Sequence, residues 1–370
     1  MAVHAPPDVT IIVATYNRPD ALRLALRSVQ WQTFPNWAVV VVGDVCDGRT
    51  QAVMDEFLSD DRFLYVNLTH RCREQALPNS AAMQVARTPF LALLNHDDIW
   101  LPDHLEVALT ALHQQRADLF VGRATAGSDL EDDGAGQMRR PVFTRANPLH
   151  RRWQDVFGDV FDVFEPASAW VFSRPLAQRV GAWRPAVSLF RVPLQDWLLR
   201  AWRAGAKMVS DPRITCLKLE THWGGAAAGV NYESTVAGHE YVVEHLTRRL
   251  QGSASLRAPD GSVPGLALEQ PFVRHHHVLH HAGDVARGME WWLRRSWVAA
   301  LYRWFGWDLY DWCCRWLDIP RGGLMRWSLA KRTGESLQPP PALATIIHEL
   351  RAARQASPNW MGWGNDAGRE

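Results

Sequence analysis

At three points in this chain, side chains able to do chemistry stand directly after a short apolar run. Val9 to Ala14 leads into Thr15-Tyr16-Asn17-Arg18-Pro19, Trp37 to Val42 leads to Asp44, and Phe90 to Leu94 leads to Asn95-His96-Asp97-Asp98. A phenol ring that can stack on a base, with a carboxylate that can accept from a ring N–H, makes a nucleoside pocket of Tyr16 and Asp44. The same two loops read equally as a polar turn and a helix cap. Two adjacent carboxylates at a strand end attract a hard divalent cation, and Mg2+ or Mn2+ held by oxygen ligands would neutralise a diphosphate. Asp97 and Asp98 also read as helix capping or solvated charge, and His96 as a packed turn residue.

These clusters need elements that carry them to one edge, and the apolar pattern supplies a candidate set. Strands at Val9 to Ala14 and Trp37 to Val42 bracket a helix with Leu22, Leu26 and Val29 on one face, a strand-helix-strand unit of the kind that builds parallel sheets. Further strands are expected at Phe63 to Val66, Phe90 to Leu94 and Asp118 to Val121, with a helix over Ser80 to Ala86. Ile99 to Asp103 reads as the start of another helix. Ala126 to Gln137, rich in Gly, Asp and Glu, reads as a mobile surface loop. A strand at Ala169 to Phe172, a helix across Gln195 to Arg203 and a turn at Gly205 into one more strand complete the alternation, which ends near Glu220. Open α/β sheets bind ligands outside the carboxyl ends of their strands, which is where all three clusters fall.

The chain has 370 residues, enough for about two domains and a large core. Its 40 basic and 39 acidic residues nearly cancel, so it lacks the field of a dedicated nucleic-acid binder and none is expected as a partner. Apolar residues at 47% and charged residues at 21% exclude the composition of disorder. Five cysteines, an odd number at spacings that match no zinc module, read as reduced thiols. The first twenty residues lack the basic start and apolar run of a secretory leader, so a cytoplasmic location is expected.

Taken together, these segments resemble the inverting family 2 glycosyltransferases. The resemblance covers roughly Val9 to Asn231 and rests on six pieces in order. They are Val9-Thr-Ile-Ile-Val-Ala-Thr-Tyr-Asn-Arg-Pro19, Gln32-Thr-Phe-Pro-Asn-Trp37, Val41-Val-Gly-Asp-Val-Cys-Asp-Gly48, Pro78-Asn-Ser-Ala81, Asn95-His-Asp-Asp-Ile-Trp-Leu-Pro-Asp103 and Gln195-Asp-Trp-Leu-Leu-Arg200. It implies a GT-A fold: an α/β, Rossmann-like, mostly parallel central sheet flanked by helices, here with a helical C-terminal region. It implies transfer of a sugar from a nucleoside-diphosphate sugar, UDP-sugars first, to the hydroxyl of a carbohydrate or lipid-linked acceptor, with Mg2+ or Mn2+ as cofactor.

Residue by residue, the resemblance puts Ala14, Thr15, Tyr16, Asp44 and Asn79 around the nucleoside. Asn95 and Asp97 match the first and last positions of the DxD motif, making Asp97 a metal ligand with Asp98 beside it. His222 matches a histidine near the diphosphate, and Asp196 the general base. A base at Asp196 also follows physically, since an acceptor hydroxyl must lose its proton as it attacks. Leu198, Leu199 and Trp202 are expected to anchor its helix, although a carboxylate in a first turn is also favoured by the helix dipole alone. Two departures stand out: Gly43 replaces a further aspartate, and Asn95 replaces the first acid of DxD. The lost acid motivates the alternative of a non-catalytic nucleotide-sugar or carbohydrate binder.

The remaining chain is of another kind. We expect a glycosyltransferase domain over 1–230 and a helical, Trp-rich region over 231–370, with Gln251 to Gly265 reading as a linker. Trp291 to Arg332 holds eight of the 19 tryptophans and a net charge of +5, from eight basic and three acidic residues. It has no uncharged 20-residue window, so it does not span a bilayer. It reads as a peripheral contact with the inner membrane face, a homodimer seam or the core of a helical subdomain. His275, His276, His277, His280 and His281 have spacings open to a transition metal, but consecutive histidines point around a helix rather than inward together.

Overall fold

Unbroken apolar runs become parallel strands here because both faces of the sheet are covered. The computed structural model describes residues 6–128, 143–146, 166–220, 237–251, 255–266, 268 and 296–363. Strands β1 (Val9–Thr15), β2 (Trp37–Gly43), β3 (Phe63–Asn67) and β4 (Phe90–Leu93) lie parallel, with Ile11 beside Val39 and Ala92, and every residue of β2 is buried. Helix α1 (Pro19–Gln30) opens with a proline, whose missing N–H costs nothing there, and buries the expected Leu22, Leu26 and Val29. Helices α2 (Gly48–Asp55) and α3 (Ala76–Val85) complete this half. Neither α2 nor the first turn of α3 is marked by the apolar spacing.

The second half adds β5 (Asp98–Trp100), α4 (His104–Gln115), β6 (Leu119–Val121), β7 (Arg123–Ser128), β8 (Phe143–Ala146) and β9 (Trp170–Ser173). Helices α5 (Arg174–Val180) and α6 (Pro193–Arg203) precede β10 (Met208–Val209) and β11 (Ile214–Glu220). The central sheet runs β10-β6-β9-β4-β1-β2-β3, with β9 antiparallel to both neighbours. A second sheet runs β5-β11-β7-β8.

Three local expectations change. Ile99 and Trp100, read as the entry to a helix, belong to β5, which pairs antiparallel with β11, while the helix itself starts at His104, next to Asp103 as expected. Ala126 lies inside β7, held to β11 through Ser128, and the rest of the expected loop lies outside the described residues. Gln251 to Gly265 is no free linker. Helix α7 (Ala237–Gln251) runs to its start, and Val263, Leu266 and Leu268 then share a buried cluster with Leu24, Ile99 and Leu217. Arg257 fixes this segment through both oxygens of Asp103, at 2.6 and 3.0 Å.

The C-terminal helices are α8 (Ser296–Phe305), α9 (Leu309–Trp316), α10 (Gly323–Thr333) and α11 (Leu343–Ala356). Helix α11 and the turn after it return to the central sheet: Ile346, Leu350, Trp360 and Trp363 join the main core. The Trp360 indole donates to the Arg62 carbonyl at 3.0 Å, just before β3. His222, the His275 to His281 cluster and residues 291–295 lie outside the described residues.

Candidate functional site

The carboxyl ends of β1 and β2 are tied together by main chain, the Asp44 N–H donating to the Thr15 carbonyl at 2.9 Å. Thr15 is buried and Ala14 half-buried. Asn67, at the end of β3, grips the next turn by accepting from the Cys46 N–H and donating to its carbonyl, both at 2.8 Å. This explains Gly43, since a Cβ there would sit 2.7 Å from the Tyr65 hydroxyl and 2.8 Å from Asn67 Oδ1.

Asp44 is buried, and its carboxylate is engaged by the loop that leads to α3. The Cys72 N–H donates to Oδ1 at 2.5 Å and the Arg73 N–H to Oδ2 at 2.8 Å, with the Arg71 guanidinium also on Oδ2. The same guanidinium lies 3.3 Å from the centre of the Tyr16 ring. Tyr16 and Asp44 therefore do face one space, but Arg71 fills part of it. Glu335, just past α10, pairs with Arg71 at 3.6 Å and with Arg73 at 3.2 Å, so the C-terminal region reaches this pocket. Asn79 is buried on α3 behind the loop. Nothing in the spacing of Arg71, Arg73 or Glu335 marks them, because their partners are distant in sequence.

At the end of β4 the two neighbouring aspartates part company. Asp97 is partly exposed and pairs with the buried Arg18 at 2.7 Å, which joins this loop to the one carrying Tyr16. Its carbonyl accepts from Nε2 of the buried His239 on α7, at 2.8 Å, so a helix beyond residue 230 holds the loop in place. His96 Nδ1 donates to the Ala14 carbonyl at 3.2 Å. Asp98, expected beside Asp97 at a metal, is fully buried instead. It accepts from Ser168 Oγ at 2.5 Å and from Asn95 Nδ2 at 2.8 Å, and burial pushes its carboxyl above the usual carboxylate range. Its place in β5 turns it toward β11, where Lys218 stands 3.9 Å away.

Asn95 thus spends its amide N–H on Asp98 and keeps its carbonyl oxygen as acceptor. Among the described residues, no group of three or more His, Cys, Asp or Glu side chains is gathered as a metal cage. One partly exposed carboxylate, Asp97, fits a cation that is shared with phosphate oxygens, the way Mg2+ is usually held.

Asp196 stands in the first turn of α6, a helix opened by Pro193. Its Oδ2 accepts from Arg200 Nε at 2.8 Å and its Oδ1 from Arg184 at 3.4 Å. Arg200 is itself fixed by the carbonyls of Val180 and Ala182, at 2.7 and 2.8 Å. Leu198 and Leu199 are buried as expected, but the principal anchor is Trp197 rather than the half-buried Trp202. Trp197 donates to the Gly181 carbonyl at 3.0 Å and packs on Trp170 and Trp183, with ring centres 5.9 and 6.4 Å away. The carboxylate is preorganised by a wall of indoles behind it.

A largely parallel sheet with one reversed strand, and polar loops at the carboxyl ends of β1, β2 and β4, defines the GT-A class of α/β fold. Residues 10–180 match the family model described as Glycosyl transferase family 2. The chain is 28% identical over 114 residues to the UDP-Glc:alpha-D-GlcNAc-diphosphoundecaprenol beta-1,3-glucosyltransferase WfgD of Escherichia coli, covering 31% of this chain and 44% of WfgD. It is 29% identical over 174 residues to the succinoglycan biosynthesis protein ExoO of Rhizobium meliloti, covering 44% of this chain and 49% of ExoO. The chain thus spans about half the length of these relatives, or less. The crystal structure of S. aureus TarS 1–349 aligns with a TM-score of 0.47 at 14% identity, over 94% of this chain and 92% of that one.

Proposed function

We propose that this protein is a metal-dependent inverting glycosyltransferase that moves a sugar from a nucleoside-diphosphate sugar to an acceptor hydroxyl. The observation that carries the reading is the Arg18–Asp97 ion pair of 2.7 Å, which brings the acidic loop after β4 against the Tyr16 loop after β1 within the family 2 stretch. In this reading the base lies between Tyr16 and Asp44 once Arg71 yields space, and Asn95 Oδ1 accepts from a ribose hydroxyl. Asp97 would hold Mg2+ or Mn2+, whose chemistry when bound is to neutralise the diphosphate as it leaves.

Asp196 accepts the acceptor's proton as its oxygen attacks the anomeric carbon from the face opposite the leaving group. The C–O bond to the diphosphate breaks as the new glycosidic bond forms, so one displacement inverts the configuration. Arg200 and Arg184 hold the Asp196 carboxylate oriented for that step. His222 is placed near the diphosphate by family resemblance alone.

The UDP-Glc donor and diphosphoundecaprenol acceptor in WfgD's name support a UDP-sugar and a lipid-linked saccharide as first choices. Such an acceptor would have the protein work in the cytoplasm, at the inner face of the membrane. The competing reading, a binder without turnover, draws on Asp196 being held by two arginines and Asp44 by Arg71. Incubation with a panel of sugar nucleotides and lipid-linked saccharides, with Mn2+ present, separates the two. Release of nucleoside diphosphate from one donor, in step with product of inverted configuration, is expected. Donor binding that raises the Tm without any release identifies a binder.

A further inference from the structure

The outer faces of α8 and α9 carry rings that stay exposed among the described residues. Trp304, Phe305, Trp307, Trp312 and Trp316 are 76, 64, 62, 62 and 70% exposed. Trp312 and Trp316 are four residues apart and share one face of α9. The helices are already seated by their other sides: Tyr310, Cys313 and Cys314 are buried in a cluster with Val298 and Phe190, and Tyr302 stacks on Trp202 of α6 with ring centres 6.5 Å apart. Among the described residues, the outward rings are therefore surplus to the seating of these helices, Phe305 and Trp307 meeting each other at 5.6 Å between ring centres.

Charge says what covers them. Among the described residues of 296–333, Arg315, Arg321 and Arg326 are exposed, against a single exposed acid, Asp318. Asp308 is neutralised by the buried Arg191, at 2.6 Å. Tryptophan and arginine also occur at protein interfaces, but a second copy of this face would meet it with like charge, whereas indoles interleaved with arginines suit the boundary where rings are half immersed and cations meet phosphate head groups. Among the described residues, no helix is long and apolar enough to cross a membrane.

We propose that this aromatic and basic face docks flat on an anionic phospholipid surface. Because α8 packs through Tyr302 on the helix that bears Asp196, docking would present the acceptor side of the site to the membrane. That last step rests on the proposed function; the docking surface does not.

The test is co-sedimentation of the full chain with vesicles of phosphatidylcholine alone or mixed with phosphatidylglycerol. Binding to the mixed vesicles, weakened by salt, is expected. The variant Trp304→Ser/Trp307→Ser/Trp312→Ser/Trp316→Ser should lose at least about tenfold in partition at unchanged Tm, as should Arg315→Gln/Arg321→Gln/Arg326→Gln. A full chain that stays in the supernatant with both vesicles overturns the proposal, and so does a tryptophan variant that binds like the parent. A dimeric parent that becomes monomeric in the tryptophan variant, with no vesicle binding by either, identifies a homodimer seam instead. Sugar-nucleotide binding measured on the same samples keeps the two readings apart: vesicle binding without donor binding leaves the surface standing and removes the catalytic reading.

Discussion

Asp97 and Asp196 are both held by arginine, and this is the feature of the site that chemistry must work with. An aspartate poised as a base keeps its aim when the guanidinium beside it is itself fixed by carbonyls, as Arg200 is. Asp196→Asn should lower kcat by at least about 10²-fold while leaving the Kd for nucleoside diphosphate unchanged, since the amide keeps the shape and loses the proton acceptor. A variant with more than about a tenth of the parent kcat would remove Asp196 from that role. For Asp97, activity should vanish in EDTA and return with Mn2+ or Mg2+. Asp97→Ala should weaken nucleoside-diphosphate binding only when metal is present, because the ion rather than the side chain meets the phosphates. Full activity in chelator would point to a metal-free site with Asn95 as its mark.

Helix α9 is oriented by one residue with two tasks. Asp308 caps it, accepting from the N–H groups of Tyr310 and Asp311 at 3.1 and 3.4 Å, and also pairs with Arg191, which the loop before α6 delivers from the other side. Asp308→Ala removes the cap and leaves a buried guanidinium without its carboxylate. The loss expected in urea unfolding is roughly 3 kcal/mol, the usual size for breaking a buried ion pair from one side. A loss under about 1 kcal/mol would place Arg191 in water rather than in the fold. The same logic explains why α7 matters to the site: His239 sits beyond the family 2 stretch, yet it holds the loop that presents Asp97.

Across the whole molecule, buried titratable groups make stability depend on pH in opposing ways. Burial raises the Glu74 carboxyl from its ordinary 4.5 to about 7, partly offset by the Ala186 N–H that it accepts at 2.9 Å. The folded chain therefore binds this proton more tightly than the unfolded chain, and Glu74 makes stability fall as pH rises from about 4.5 to 7. Burial lowers His104 from 6.5 to about 3, so its contribution rises with pH over that window and is complete above 6.5. The difference between Glu74→Gln and the parent isolates the first term. It should be near zero at pH 4 and reach at most about 3 kcal/mol in favour of the variant above pH 7. A flat difference across that range would show that Glu74 is solvated.

Some of this was written locally. Val9 to Ala14 and Trp37 to Val42 are apolar without alternation, a pattern that only a strand covered on both faces tolerates, so the parallel sheet was legible. The polar residues that follow such strands must fall at its carboxyl edge, which made Tyr16, Asp44 and Asp97 legible as neighbours. The rest depended on partners far along the chain. Asp97 and Asp98 look alike in sequence and differ only because β11, more than a hundred residues later, pairs with β5 and pulls one of them inward. The tryptophans divide in the same way: Trp197 is core because Trp170 and Trp183 arrive behind it, and Trp360 because α11 returns to β3, while Trp304 and Trp312 stay exposed among the described residues. Periodicity reports the face a residue presents, and only the tertiary fold decides what meets that face.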